Sequence, residues 1–155
     1  MILPTQQELA KLPHLFQVRY ALYAATSVSY LTTLPEAATC LKVVGDYLDG
    51  KASKEDCKVT ATAASYAAAA VAAAAYDAAA VASANAAAHA AGAAAADADA
   101  ATRAAFYAAF HAAYAAAVAA FIAADAKLDL AKDLRRYYKE LLNFDAISES
   151  YLLGV

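Results

Sequence analysis

Residues Ala88–Arg103 read AHAAGAAAADADAATR, and the fold turns on whether this stretch stays helical. It lies inside a long Ala-rich segment, and no proline interrupts the chain from Ser53 to Ala126. Alanine is the strongest helix former, so nothing in its intrinsic preference stops the helix. At 1.5 Å per residue an unbroken rod would run about 110 Å and would need a companion along its whole length. The quoted stretch offers a compact solution: Gly92 suits the left-handed position after a helix, and Asp97 or Asp99 suits the cap of the next. The sequence therefore predicts a turn near Gly92 and two long helices folded back as an antiparallel hairpin. The expected fold is all-α: a helical bundle of about five to seven helices, with two long, closely packed Ala-rich helices flanked by shorter ones.

The two arms differ in where their larger side chains fall. In the second, Phe106, Tyr107, Phe110, His111, Tyr114, Val118, Phe121 and Ile122 occupy roughly half the helical circumference, and the other half is nearly pure alanine. In the first, Tyr66, Val71, Tyr76 and Val81 recur every five residues. That step rotates by about 140°, so these side chains point all round, as in an arm enclosed by neighbours. Methyl-only contact faces let helices approach to about 8 Å, with many close backbone contacts in place of large side chains.

The flanks carry conventional start and stop signals. Thr5-Gln6-Gln7-Glu8 has the form of a capping box, and a short helix from there ends before Pro13. HLFQVRYALYAATSVSYLT reads as a second helix, from His14 to about Thr32. Phe16, Tyr20, Tyr23 and Tyr30 lie on one side of it, with Leu15, Val18 and Leu22 on another. Pro35 suits a first helical position and Gly50 the residue after a last one, which brackets a third helix. Ser53 to Asp56 is a second capping signal and launches the Ala-rich segment. In the tail, Leu130, Leu134, Tyr137, Leu141 and Phe144 form an apolar seam, and Asp145 reads as the cap of a final short helix through Leu153. The reading is one helical domain: N-terminal helices over 1–52, the hairpin over 53–126 and C-terminal helices over 127–155.

Charge narrows the function classes. Residues 1–60 and the tail from Lys127 are each balanced, so the net charge of −3 resides in the middle. There Arg103 stands alone against Asp77, Asp97, Asp99 and Asp125. No basic stripe exists to neutralise phosphates, which argues against nucleic acid as a partner. Asp77, Asn85 and His89 interrupt the alanines before a strongly apolar span can build, so no membrane segment is expected. Cys40 and Cys57 are too few for a disulfide framework and read as free thiols of a reducing compartment. With no signal-like N-terminus, the expected location is cytoplasmic.

Candidate chemistry is sparse. His14, His89 and His111 lie on three separate helices without the spacing of a zinc site, although a turn near Gly92 brings His89 toward Asp97 or His111. Thr60, Thr62, Ser65 and Ser83 have no nucleophile elbow around them, and helical hydroxyls commonly bond the carbonyl four residues back. Four glycines in the whole chain leave no phosphate-binding loop. No metal, cofactor or catalytic residue is assigned. The most polar stripe holds Asp99, Arg103, Tyr107, His111 and Tyr114, with Asp99 and Arg103 spaced as an ion pair. Arg103, Tyr107, His111 and Tyr114 are the candidate protein-binding residues, since Tyr and Arg are common interface anchors. The competing reading is that these rings pack inside the fold, the default fate of aromatic side chains.

RYALYAATSV at Arg19–Val28, LPEAATCLKVVGDYLDGKASKED at Leu34–Asp56 and the Ala run with interspersed aromatics to Ala126 together resemble a loosely defined group of Ala-rich bacterial and phage proteins. Many of these are labelled immunity proteins. The resemblance covers about two-thirds of the chain, and its specific part is residues 35–53. It implies a small cytoplasmic helical protein that binds a toxin or another host or phage protein without catalysis, and it transfers no site residues. The chain departs from the group in lacking Trp and in carrying few charges among its alanines. That departure raises the alternative of a structural subunit that assembles into a homo-oligomer through its Ala-rich faces.

Overall fold

The computed structural model describes residues 3–74, 77–123 and 130–153. Among them are seven α-helices, one short 3₁₀ turn and no strand, an all-α bundle. The first helix, α1 (Gln6–Leu9), opens with the expected capping box. Thr5 N–H donates to the Glu8 carboxylate at 2.8 Å, and Glu8 N–H donates to the Thr5 hydroxyl oxygen at 3.2 Å. The next, α2 (His14–Ser27), is shorter than its sequence suggests. Ser27 and Ser29 hydroxyls bond the carbonyls of Tyr23 and Thr26, and the chain tightens into the 3₁₀ turn Ser29–Leu31. Tyr30 thereby leaves the α2 face and stands exposed.

Helix α3 (Pro35–Leu48) has proline in its first turn and stops at Gly50, whose φ of +74° requires a residue without a Cβ. Gly50 N–H bonds the Tyr47 carbonyl and Lys51 N–H the Asp46 carbonyl, the paired closure of a Schellman motif. Ser53 and Asp56 exchange cap bonds at 3.1 and 2.8 Å to start α4 (Lys54–Ala74).

The Ala-rich segment then departs from the two-armed expectation. It makes three helices, with α4 followed by α5 (Ala78–Ala95) and α6 (Ala98–Ala123). The first arm breaks because Asp77 caps α5, its carboxylate accepting from Ala80 N–H at 3.1 Å. The second break falls at Ala96 and Asp97, beyond Gly92, and Ala101 N–H bonds the Asp97 carbonyl at 2.8 Å as α6 begins. Gly92 stays helical within α5, where a Cβ would meet the Ala104 methyl at 3.9 Å. Helices α5 and α6, packed side by side and joined by two residues, are the closely packed antiparallel hairpin; α4 adds a third antiparallel member.

In this three-helix layer α5 is central, with α4 and α6 beside it and α2 and α3 across its back. The enclosed element is thus α5 and not the whole first arm: Tyr66 on α4 is 74 % exposed. Only the stripe Ala78, Val81, Asn85, His89, Gly92 and Ala95 keeps partial exposure on α5. Three polar bonds pin this nearly featureless rod to its neighbours. Ser83 Oγ donates to the Val28 carbonyl at 2.7 Å, Cys40 Sγ to the Ala87 carbonyl at 3.2 Å and His14 Nε2 to the Ala93 carbonyl at 3.0 Å.

The tail is one helix, α7 (Leu130–Leu153), with Asp145 inside it instead of capping a separate piece. Leu130, Leu134, Tyr138 and Leu141 are its buried seam. Tyr137 stacks on Tyr23 at 4.2 Å, and Phe144, 62 % exposed, keeps a ring contact with Phe16. Arg135 and Tyr138 clasp α1 through the Glu8 carboxylate and the Glu8 carbonyl. No helix among the described residues is long and apolar enough to cross a membrane.

Candidate functional site: a groove beneath the α6 ring ridge

The amphipathicity by size of α6 decides which face it buries. Ala101, Ala105, Ala108, Ala109, Ala112, Ala115 and Ala116 are buried against the bundle, so the methyl side is the packing side. The rings face out: Tyr107, Phe110 and Tyr114 are 44–50 % exposed. The competing reading, that these rings pack inside the fold, describes Phe106 and His111, which are part-buried, and not Tyr107, Phe110 and Tyr114; small side chains let α6 sit closer to α5 than rings would. Of the candidate residues, Arg103 is exposed one turn before Tyr107, and Tyr107, His111 and Tyr114 continue the same ridge. The Asp99 side chain, and with it the Asp99–Arg103 pair, lies outside the described residues, as do Tyr76 and the side chains of Phe121 and Ile122.

The hairpin does bring His89 to His111. Their rings stack at 5.2 Å with 8° between planes, and Tyr107 lies 5.5 Å from His89 on its other neighbour position. Burial pulls the pKa of both histidines below the ordinary value, and for His89 the proximity of His111 adds to the effect. Both shifts favour the neutral imidazole. The described residues contain no cluster of three His, Cys, Asp or Glu side chains placed to hold a metal ion.

Beside this pair, a groove of about 330 Å³ opens between α4 and α6 with the α5 stripe as its floor. Ala72 lines one wall, Phe110, His111 and Tyr114 the other, and Val81 and Asn85 the floor. Among the described residues, no charged side chain lines it. Asn85 is the member that sequence reading passed over, treating it only as an interruption in an alanine run. Its signal was positional: it sits four residues before His89, on the same α5 face. The Asn85 carboxamide hydrogen-bonds to none of the described residues. The opposite cysteines carry no such opportunity: Cys40 and Cys57 are buried, and burial raises both thiols, Cys40 to about 11.

No family model, curated protein or solved structure matches the chain.

Proposed function

We propose that this chain is a non-enzymatic, cytoplasmic protein-binding module and that the ring ridge of α6 takes its partner. The observation that carries this reading is the exposure of Tyr107, Phe110 and Tyr114 on a helix that buries its opposite, alanine face. Rings held outward at this cost in exposed apolar area mark an interaction surface more often than chance packing does. Tyrosine supplies contact area with little rotamer entropy to lose, and Arg103 adds a charged end to the ridge. The resemblance to Ala-rich immunity proteins points the same way, toward a toxin or a phage or host protein as partner.

The test is retention of partners from host lysate on immobilised protein, compared with an Arg103→Ala/Tyr107→Ala double variant. The double variant is expected to lose the retained partner and to keep the helical circular dichroism of the parent. Equal retention by both proteins overturns the assignment of the ridge.

A specific observation favours self-assembly through an Ala-rich face, here that of α4, as the second reading. Most described alanines of α5 and the packing face of α6 are already buried within the fold, whereas α4 exposes Ala63, Ala69, Ala70 and Ala73 around Val59 and Tyr66, with no charge from Val59 to Ala73. Light scattering at micromolar concentration separates the readings. A monomer or dimer supports the first, and larger species that dissociate on Tyr66→Glu support the second.

A further inference from the structure

The groove under the ridge has features that partner binding does not need. Asparagine in mid-helix is less favourable than alanine by about half a kcal/mol, and it usually recovers that through a local bond or a cap. Asn85 has neither: it lies in the middle of α5, and its half-buried carboxamide is bonded to none of the described residues. Around it the floor is methyl and isopropyl surface from Ala78, Val81 and Ala82. The wall across from Ala72 is made of flat rings. With no charged side chain among its described lining residues, an ion entering would shed water without gaining a counter-charge from them. The volume of about 330 Å³ sits at the small end of the range for small-molecule sites, enough for a substituted ring and too little for a helix.

We propose that this groove binds a small, flat, uncharged molecule whose ring lies against Phe110 and Tyr114 and whose paired donor and acceptor, as in a carboxamide, meet the Asn85 carboxamide. Both Asn85 groups are then used, since a primary amide gives and accepts one hydrogen bond in the same plane. The ring faces supply offset or edge contacts. Tyr114 and His111 stand at the rim, where a hydroxyl and an imidazole can bond a second polar substituent. The inference goes beyond the partner-binding reading and needs no second chain. Its residues are not those altered in the ridge test, so either idea can fail alone.

Three isosteric probes that differ in charge test it: benzamide, benzoate and benzamidinium. With alanine methyls labelled with carbon-13, benzamide is expected to shift the Ala72, Ala78 and Ala82 signals saturably, with a dissociation constant in the millimolar range typical of so small a ligand. Benzoate and benzamidinium are expected to bind at least about tenfold more weakly. Asn85→Leu, close to Asn in size, is expected to weaken benzamide by about tenfold, and Ala72→Leu, which fills the groove from the part-exposed side of α4, to abolish the shifts. Circular dichroism of each variant checks that the helices persist; if either variant unfolds, the three-probe comparison on the parent protein decides. Equal binding of the three probes, an unchanged benzamide affinity in folded Asn85→Leu, or shifts that never saturate overturn the proposal.

Discussion

Tyr20 and Gln17 show what single side chains contribute to a core made mostly of methyl groups. Tyr20 is fully buried on α2, yet its hydroxyl has no hydrogen-bond partner among the described residues, and burial drives its pKa far above the ordinary tyrosine value. Gln17 is better served, since its Nε2 donates to the Leu9 and Leu12 carbonyls at 3.2 and 3.0 Å, although its Oε1 is left over. An orphaned buried hydroxyl costs stability without return. Tyr20→Phe is therefore expected to leave stability unchanged or to raise it by up to about 1 kcal/mol, read as a higher urea midpoint with the same slope. Ser83→Ala is the contrasting case, because it strips the Val28 carbonyl of a 2.7 Å bond in a dry location and is expected to cost about 1–2 kcal/mol. A Tyr20→Phe variant that loses as much as Ser83→Ala would show that the hydroxyl is satisfied after all.

At the scale of elements, helix ends were the most legible part of the chain and helix interiors the least. The Thr5, Pro35, Gly50 and Ser53 signals each stand where the described helices begin or end, because caps are local exchanges between neighbouring residues. Asp77, Asp97 and Asp145 look alike in sequence, as lone acids beside alanine or apolar runs, yet the first caps a helix, the second precedes one and the third lies inside one. For Asp77 the burial of α5 decides: folding back there encloses the most featureless stretch of the chain, and that gain is not local. The ends of the bundle are joined by a different device. The Arg135 guanidinium, hydrogen-bonded to the Glu8 carboxylate at 2.5 Å, holds its pKa down from 4.5 to about 2, with the Thr5 N–H assisting. Since the folded pKa is below the unfolded one, this contact contributes stability that is complete above about pH 4.5 and is lost as pH falls toward 2. Arg135→Gln is expected to flatten the dependence of the urea midpoint on pH between about 2 and 4.5, while Lys42→Gln, an exposed pair on α3, leaves it intact. A profile in Arg135→Gln that still falls as steeply as in the parent would sink the assignment.

For the whole molecule, the decisive property is how little space lies between α5 and its neighbours. The candidate ridge was legible as a stripe on one helix, but its outward direction was not, because a stripe of rings beside a stripe of methyls has two ways to pack. The methyl side wins where four helices must surround a fifth at close range: each additional carbon on α5 would push against several elements at once. Ala90 is fully buried on α5, away from the groove stripe, whereas Ala73 on α4 is exposed. Ala90→Leu adds apolar area, and simple transfer would make it stabilising. In a close-packed interior the strain exceeds that gain, so Ala90→Leu is expected to destabilise by about 1–3 kcal/mol or more, while Ala73→Leu stays within about 0.5 kcal/mol of the parent. Chemical denaturation of the two variants measures the difference. A stabilised Ala90→Leu would mean that α5 has room to spare, and then neither the outward ridge nor the groove over Asn85 would follow from alanine packing.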